Sequence, residues 1–134
     1  MTKIIGAGIL LINSNNKLLM LLRDNKSDIP FPNMWDIPGG HVEPGEIPEK
    51  TVKREMLEEM ELKVGELNLF KTYKSEKLID HVFWKRIDLQ PEKINLKEGQ
   101  RLAYFSRDEL SSMKLAFNYN KVIEEFYNHL LSEL

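Results

Sequence analysis

The chain has 134 residues, enough for one domain with a buried core, and contains no cysteine, which excludes disulfide frameworks, thiolate nucleophiles and zinc–thiolate sites. Its 19 Lys and Arg against 21 Asp and Glu leave a net charge of −2, without the electrostatic footprint expected for duplex nucleic acid or an anionic membrane. The lack of cysteine fits a reducing, cytoplasmic setting.

Ile4 to Ile12, IIGAGILLI, follows a single Lys3 and has the apolar character of a signal-peptide core. It runs straight into Asn13-Ser14-Asn15-Asn16 without a small-residue cleavage pattern, and it is too short to span a bilayer. It therefore reads as a buried strand, over about Lys3–Ile12. The Asn-rich turn returns the chain as a second strand, Lys17 to Arg23, and the pair reads as a β-hairpin because Asn tolerates the left-handed turn conformation. Asp24 to Met34 holds Pro30 and Pro32 among polar residues and is expected to be a loop. Trp35-Asp36-Ile37 is a short extended piece kept out of helix by Pro38.

A helix is expected from Pro48, with Glu46 in or just before its first turn, where negative charge suits the macrodipole. Val52, Met56 and Met60 form its apolar side with Leu57 at the flank, and Glu55, Glu58 and Glu59 lie on a neighbouring arc. Three like charges at i, i+3 and i+4 repel by about 0.2–0.5 kcal/mol per pair. A hard divalent cation turns that liability into a binding site. A solvated acidic face explains the triplet equally well in a chain that is 30% charged.

Beyond Glu66 the pattern becomes strands, about Leu67–Glu76 and Leu78–Leu89, the latter with Val82, Phe83, Trp84 and Ile87. A loop over Gln90–Gln100 precedes a short strand, Arg101–Phe105. Ser106 and Glu109 are spaced as a capping box, and a last helix over about Asn120–Leu131 carries Val122, Ile123, Phe126, Tyr127, Leu130 and Leu131 at core spacing. No internal repeat or linker is evident. Sheet plus a few helices points to α+β or α/β/α layering.

The stretch from Pro38 to Leu62 adds context to the triplet. Gly40, five residues, Glu46, seven residues, Arg54-Glu55-Met56-Leu57-Glu58-Glu59-Met60, one residue and Leu62 resembles the signature of the Nudix hydrolases. One position departs from the pattern: Glu61 stands where the family usually has glycine. Either the helix ends there in a left-handed turn, at a cost of about 1 kcal/mol, or it runs on toward Gly65.

The resemblance implies an α+β Nudix fold, a mixed sheet between helices, in a single domain over residues 1–134. It implies hydrolysis of a nucleoside diphosphate linked to another group, with Mg²⁺ or Mn²⁺ screening the polyphosphate and activating water. Carried over by position, Glu55, Glu58 and Glu59 match the metal-binding glutamates, Gly40 the turn glycine whose carbonyl completes the shell, and Glu46 and Arg54 a bracing ion pair. Lys97-Glu98-Gly99-Gln100 resembles a MutT-type loop, in which Glu98 serves as a further ligand or as the base; Glu58 and Glu59 are the other candidates for the base. Arg23 resembles an arginine used against substrate phosphates. Asn118 and Asn120 lie where MutT-like proteins place an asparagine that reads a purine edge, and either can instead cap the last helix. Phe31, Trp35, Phe83 and Trp84 could stack a base but sit at core spacing, and His41 occupies a variable position of the motif.

The implied partner is a small nucleotide, with no duplex nucleic acid and no membrane, in a monomer or homodimer. A nucleoside triphosphate, including an oxidised one such as 8-oxo-dGTP, is the leading substrate. ADP-ribose, a nucleotide sugar and a dinucleoside polyphosphate are alternatives of the same chemistry. A non-catalytic nucleotide sensor is an alternative of another class, and an acidic interaction helix on an inert scaffold leaves Gly40, Glu46 and Arg54 unexplained.

Overall fold

A computed structural model describes residues 3–132. Seven strands form one mixed sheet: β1 (Ile4–Ile12), β2 (Leu18–Leu22), β3 (Trp35–Asp36), β4 (Gly39–His41), β5 (Asn68–Lys74), β6 (Leu78–Arg86) and β7 (Arg101–Phe105). The helices are α1 (Pro48–Met60), α2 (Arg107–Ser111) and α3 (Tyr119–Ser132). β1 runs parallel to β6 from Ile4↔Leu78 to Ile12↔Arg86, and every other pairing is antiparallel.

β1 is buried on both faces, which is why it reads as a continuous apolar run. Ala7, Ile9 and Leu11 pack with Val52, Met56 and Met60 of α1 and Phe83 of β6. Leu10 and Ile12 pack on the opposite face with Val82, Val122, Ile123 and Phe126. Alternate residues of one strand thus hold two helical layers, as α/β/α layering requires. The apolar sides of the helices are narrower than expected: Leu57 is 57% exposed and Leu131 is 52% exposed. Each stands at the edge of its stripe, open to solvent.

The hairpin between β1 and β2 differs from the sequence reading. The Asn13–Asn16 turn forms, with Asn16 at φ 60, yet the two strands pair only at Ile12↔Leu18. Beyond that point they diverge, and the segment Trp35–His41 fills the fork. β3 pairs with β2 (Leu21↔Asp36), and β4 pairs with β1 (Ala7↔Gly40). The Pro38-Gly39-Gly40 turn is therefore set into the split sheet, held by Ile9 N–H on the Pro38 carbonyl at 2.9 Å. Gly39 has room for no side chain, since a Cβ there would lie 2.3 Å from the Ala7 carbonyl oxygen.

The helix ends are chemically explicit. Ser106 and Glu109 form the expected capping box at α2. α1 begins at Pro48 and stops at Met60, with Glu61 in the left-handed conformation at φ 54. The first of the two alternatives for Glu61 holds. Its N–H on the Leu57 carbonyl and the Leu62 N–H on the Met56 carbonyl, both at 3.1 Å, close the helix end.

Candidate active site

Glu46 lies two residues before α1 and accepts four hydrogen bonds. They come from Arg54 Nε at 2.8 Å and Nη2 at 3.1 Å, the Thr51 hydroxyl at 2.6 Å and the Glu43 N–H at 3.2 Å. These donors, Arg54 foremost and Thr51 next, hold its carboxyl down at about 2. The same guanidinium donates to Glu55 at 2.9 Å, to Glu58 at 3.3 Å and to the His41 carbonyl at 3.2 Å. One planar fork thus ties the loop, the glycine turn and two of the three glutamates together. A simple surface pair would not do so.

Gly40 and Glu55 are in direct contact. A Cβ on Gly40 would stand 2.4 Å from the Glu55 carboxyl carbon, so the carboxylate occupies the space that glycine leaves. Glu59, one turn on, is 7% exposed, and its Oε2 is buried with no hydrogen-bond partner among the described residues. Burial first, then the neighbouring carboxyls of Glu55 and Glu98, push its pKa up to about 9. A buried polar oxygen without a donor is costly and calls for an explanation.

The Glu98 loop is tied to α1 through backbone: the Lys97 N–H donates to the Glu59 carbonyl at 2.8 Å. Gly99, at φ +87, turns the chain where a Cβ would lie 2.5 Å from Leu21 Cδ1. The Gln100 side chain donates to the Arg23 carbonyl at 2.7 Å and to Asn33 at 2.9 Å, which clips this loop to the 24–34 loop. Glu55, Glu59, Glu98, Gly40 and Arg23 all line one open cleft of about 410 Å³.

Oxygen donors of this kind suit a hard divalent cation. The orphaned Glu59 oxygen and the carboxylate against Gly40 are what such an ion would satisfy. Among the described residues no three His, Asp or Glu side chains are gathered tightly enough to hold an ion as they stand. Glu55 and Glu58 each give an oxygen to Arg54 instead, and the Glu58 side chain is 60% exposed and able to turn.

Arg23 follows β2. Its Nε donates to the Pro30 carbonyl and its Nη1 to Asp36, both at 2.9 Å, which leaves Nη2 without a partner among the described residues. Asp36 is 6% exposed, and burial outweighs the Arg23 charge, raising its pKa from 3.8 to about 6. Asn118 stands at the start of α3, its carbonyl accepting from the Val122 N–H at 3.2 Å, and its side chain lines a groove with Asp80 and Phe117. Asn120 is used internally: its amide donates to the Met113 carbonyl at 2.7 Å and accepts from the Leu115 N–H at 3.0 Å. The α3 N-terminal position therefore falls to Asn118, not Asn120.

Of the aromatics, Phe83 belongs to the core under α1, Trp35 and Trp84 pack against the core on the opposite face of the sheet, and Phe31 is 39% exposed. His41 is exposed beside the cleft. Four residues that sequence reasoning did not place in the site line a second cleft across the glycine turn: Asp36, Asp80, Phe117 and Tyr119. A signal was present for the two acids. Asp36 stands between Trp35 and Ile37, and Asp80 interrupts an otherwise β-favouring run, so each is an acid where the strand pattern expects burial.

The chain matches the family model of the NUDIX domain over residues 2–127. It belongs to the Nudix hydrolase family. The putative 8-oxo-dGTP diphosphatase of Bacillus subtilis is 41% identical over 54 residues, 40% of this chain. That match spans only 32% of the Bacillus protein. The ADP-ribose pyrophosphatase of Methanocaldococcus jannaschii is 32% identical over 87% of this chain and 69% of its own. Among solved structures, the MutT protein of Methanosarcina mazei superposes with a TM-score of 0.78 at 25% identity, covering 96% of this chain and 97% of that one. The mixed sheet between helices is thus the Nudix fold. Nudix hydrolases generally use divalent cations, which fits the oxygen donors around Glu59.

Proposed function

We propose that this chain is a Mg²⁺-dependent pyrophosphohydrolase that converts a nucleoside triphosphate, oxidised nucleotides included, to the monophosphate and pyrophosphate. The observation that carries this reading is the buried, unpaired Glu59 oxygen, set between Glu55 and Glu98 beside Gly40 in an open cleft. Glu55, Glu59, the Gly40 carbonyl and Glu98 would hold the cation, with Glu58 turning from Arg54 to join them. When bound, the ion supplies charge neutralisation at the phosphoryl oxygens and a more acidic water.

The protein's own residues do the rest. Arg54 and Glu46 keep α1 against the glycine turn. Arg23, oriented by Asp36 and Pro30, offers Nη2 to the substrate phosphates. Glu58, Glu59 and Glu98 are the candidates to take the proton from the attacking water; burial raises the pKa of Glu59, and a bound cation would favour its charged form. Asn118, exposed at the start of α3, is the candidate to meet the base.

Similarity to a putative 8-oxo-dGTP diphosphatase supports the triphosphate reading. A relative named ADP-ribose pyrophosphatase, matched over 87% of the chain, favours a second one. Both use the same cut within a diphosphate. The test is product release from a panel of nucleoside triphosphates, oxidised triphosphates and ADP-ribose with Mg²⁺, comparing wild type with Glu58→Gln. Turnover of a triphosphate with pyrophosphate release, lost in the variant, supports the first reading. Turnover of ADP-ribose alone replaces it with the second, and no turnover of any member overturns both.

A further inference from the structure

Across the Pro38–Gly40 turn from the glutamates lies a more enclosed cleft of about 130 Å³, which shares Arg23, Gly39, Gly40 and His41 with the larger one. A ligand whose phosphates meet the glutamates therefore has a continuous path into it. Its wall is the central strand pair at Gly6↔Asp80. Asp80 is 6% exposed. Its Oδ2 accepts the Tyr119 hydroxyl at 2.8 Å, while Oδ1 has no donor among the described residues. A Cβ added to Gly6 would touch that Oδ1 at 3.4 Å, so glycine leaves it uncovered toward the cleft. Burial pushes the Asp80 pKa up, while the Tyr119 hydroxyl pulls it back toward the charged form that accepts.

The mouth of this cleft carries an independent sign of use. Phe117, which lines it, is 40% exposed and holds a left-handed backbone at φ 54. Phe31, at φ 51 and 39% exposed, packs on it with ring centroids 4.6 Å apart. The Arg23 guanidinium stands 5.4 Å from the Phe117 ring centroid. Two exposed aromatic residues in a conformation that bulky side chains rarely adopt are strained, and such strain collects at ligand sites. The partly exposed rings stand beside a buried acceptor.

We infer that Asp80 selects the nucleobase, accepting the ring N–H of a 6-oxo purine that stacks on Phe117, and that it discriminates against adenine. This deepens the reading of the chain as a nucleotide hydrolase and rests on it. A 6-oxo purine presents N1–H, joined in guanine by the 2-amino group, and these donors satisfy Oδ1. Adenine presents the N1 lone pair at that position, which faces the carboxylate with like polarity, and its donor on this edge is the 6-amino group, where a 6-oxo purine has its oxygen. A site built to receive an N–H penalises the base that lacks it.

The experiment is calorimetric titration of the full chain with GMP, IMP and AMP, repeated on Asp80→Asn, with thermal unfolding of both proteins. GMP and IMP are expected to bind the wild type about tenfold or more tighter than AMP. Folded Asp80→Asn is expected to lose or reverse that order, since an amide can donate to adenine N1. Equal binding of the three by the wild type, no binding of any, or an unchanged order in folded Asp80→Asn overturns the inference. If Asp80→Asn does not fold, the wild-type order alone decides. The two readings fail separately. A preference for GMP and IMP without hydrolysis of any nucleotide overturns the proposed function and keeps this site. Hydrolysis without a 6-oxo preference does the reverse.

Discussion

On the α1 side of the glycine turn, Glu46 and Arg54 share their charges among many partners, and among the described residues Glu59 alone keeps a buried oxygen unpaired. On the far side, two buried acids, Asp36 and Asp80, have one ion pair between them among the described residues, Arg23 on Asp36, and both carry raised pKa values. The first region is a braced scaffold with one open valence, suited to an ion. The second is a sparse, enclosed wall with aromatic rings at its mouth, suited to a neutral ring. The difference teaches that one turn, set in a forked sheet, separates the charge-handling part of the site from the part that would recognise the rest of the ligand.

The sharpest way to break that contrast is at Glu59. Glu59→Gln is expected to lower turnover by about 10²–10⁴-fold while the thermal midpoint at pH 7 is held. Without a cation its raised pKa, about 9, keeps the side chain neutral there, and an amide replaces it at nearly equal volume. A variant that unfolds would show the oxygen to be structural.

Next comes the brace. Arg54→Lys keeps the charge but loses the fork that reaches Glu46, Glu55, Glu58 and His41 together. Mn²⁺ affinity, read by calorimetry, is expected to fall about 10–100-fold. Unchanged affinity would reduce Arg54 to a surface partner.

The far side is tested by pH. Asp36 rises from 3.8 to about 6 in the folded chain, so the folded state holds its proton more tightly than the unfolded one. Its contribution is fully present below pH 3.8 and is lost as pH rises through about 6. Asp36→Asn is expected to flatten the fall in stability across that window, by about 1–3 kcal/mol for a shift of this size. Urea midpoints at stepped pH measure it, and an unaltered slope would assign the titration elsewhere.

The smallest effect is expected at Glu61, outside both clefts. Glu61→Gly relieves a left-handed φ of 54 and is expected to add about 1 kcal/mol of stability. Turnover should stay within a few-fold; a hundredfold gain would place Glu61 in the machinery.

Most elements were legible in the sequence because their signals are local. Alternation and apolar runs located the strands, Pro48 began α1 and Ser106 with Glu109 capped α2. The α1 part of the site was equally legible, since Gly40, Glu46, Arg54 and the three glutamates fall within 20 residues of chain and a helix sets their relative directions. Glu98 stood out by its own short motif, and the Lys97–Glu59 backbone bond holds its loop against α1.

What the sequence by itself determined, then, is the glycine turn followed by an acidic helix: Pro38 to Leu62 carries the bracing charges, the carboxylates and their spacing. Only the tertiary structure decided that β1 and β2 part after Ile12↔Leu18, so that this turn sits in a fork with a cleft on each side. The same divergence brings Arg23, Asp36, Asp80, Phe117 and Tyr119 around one cavity, although they come from separate stretches of chain. No local periodicity encodes such a meeting. It follows from strand register and from which face of the sheet each helix covers, and both are settled by burial of the core as a whole.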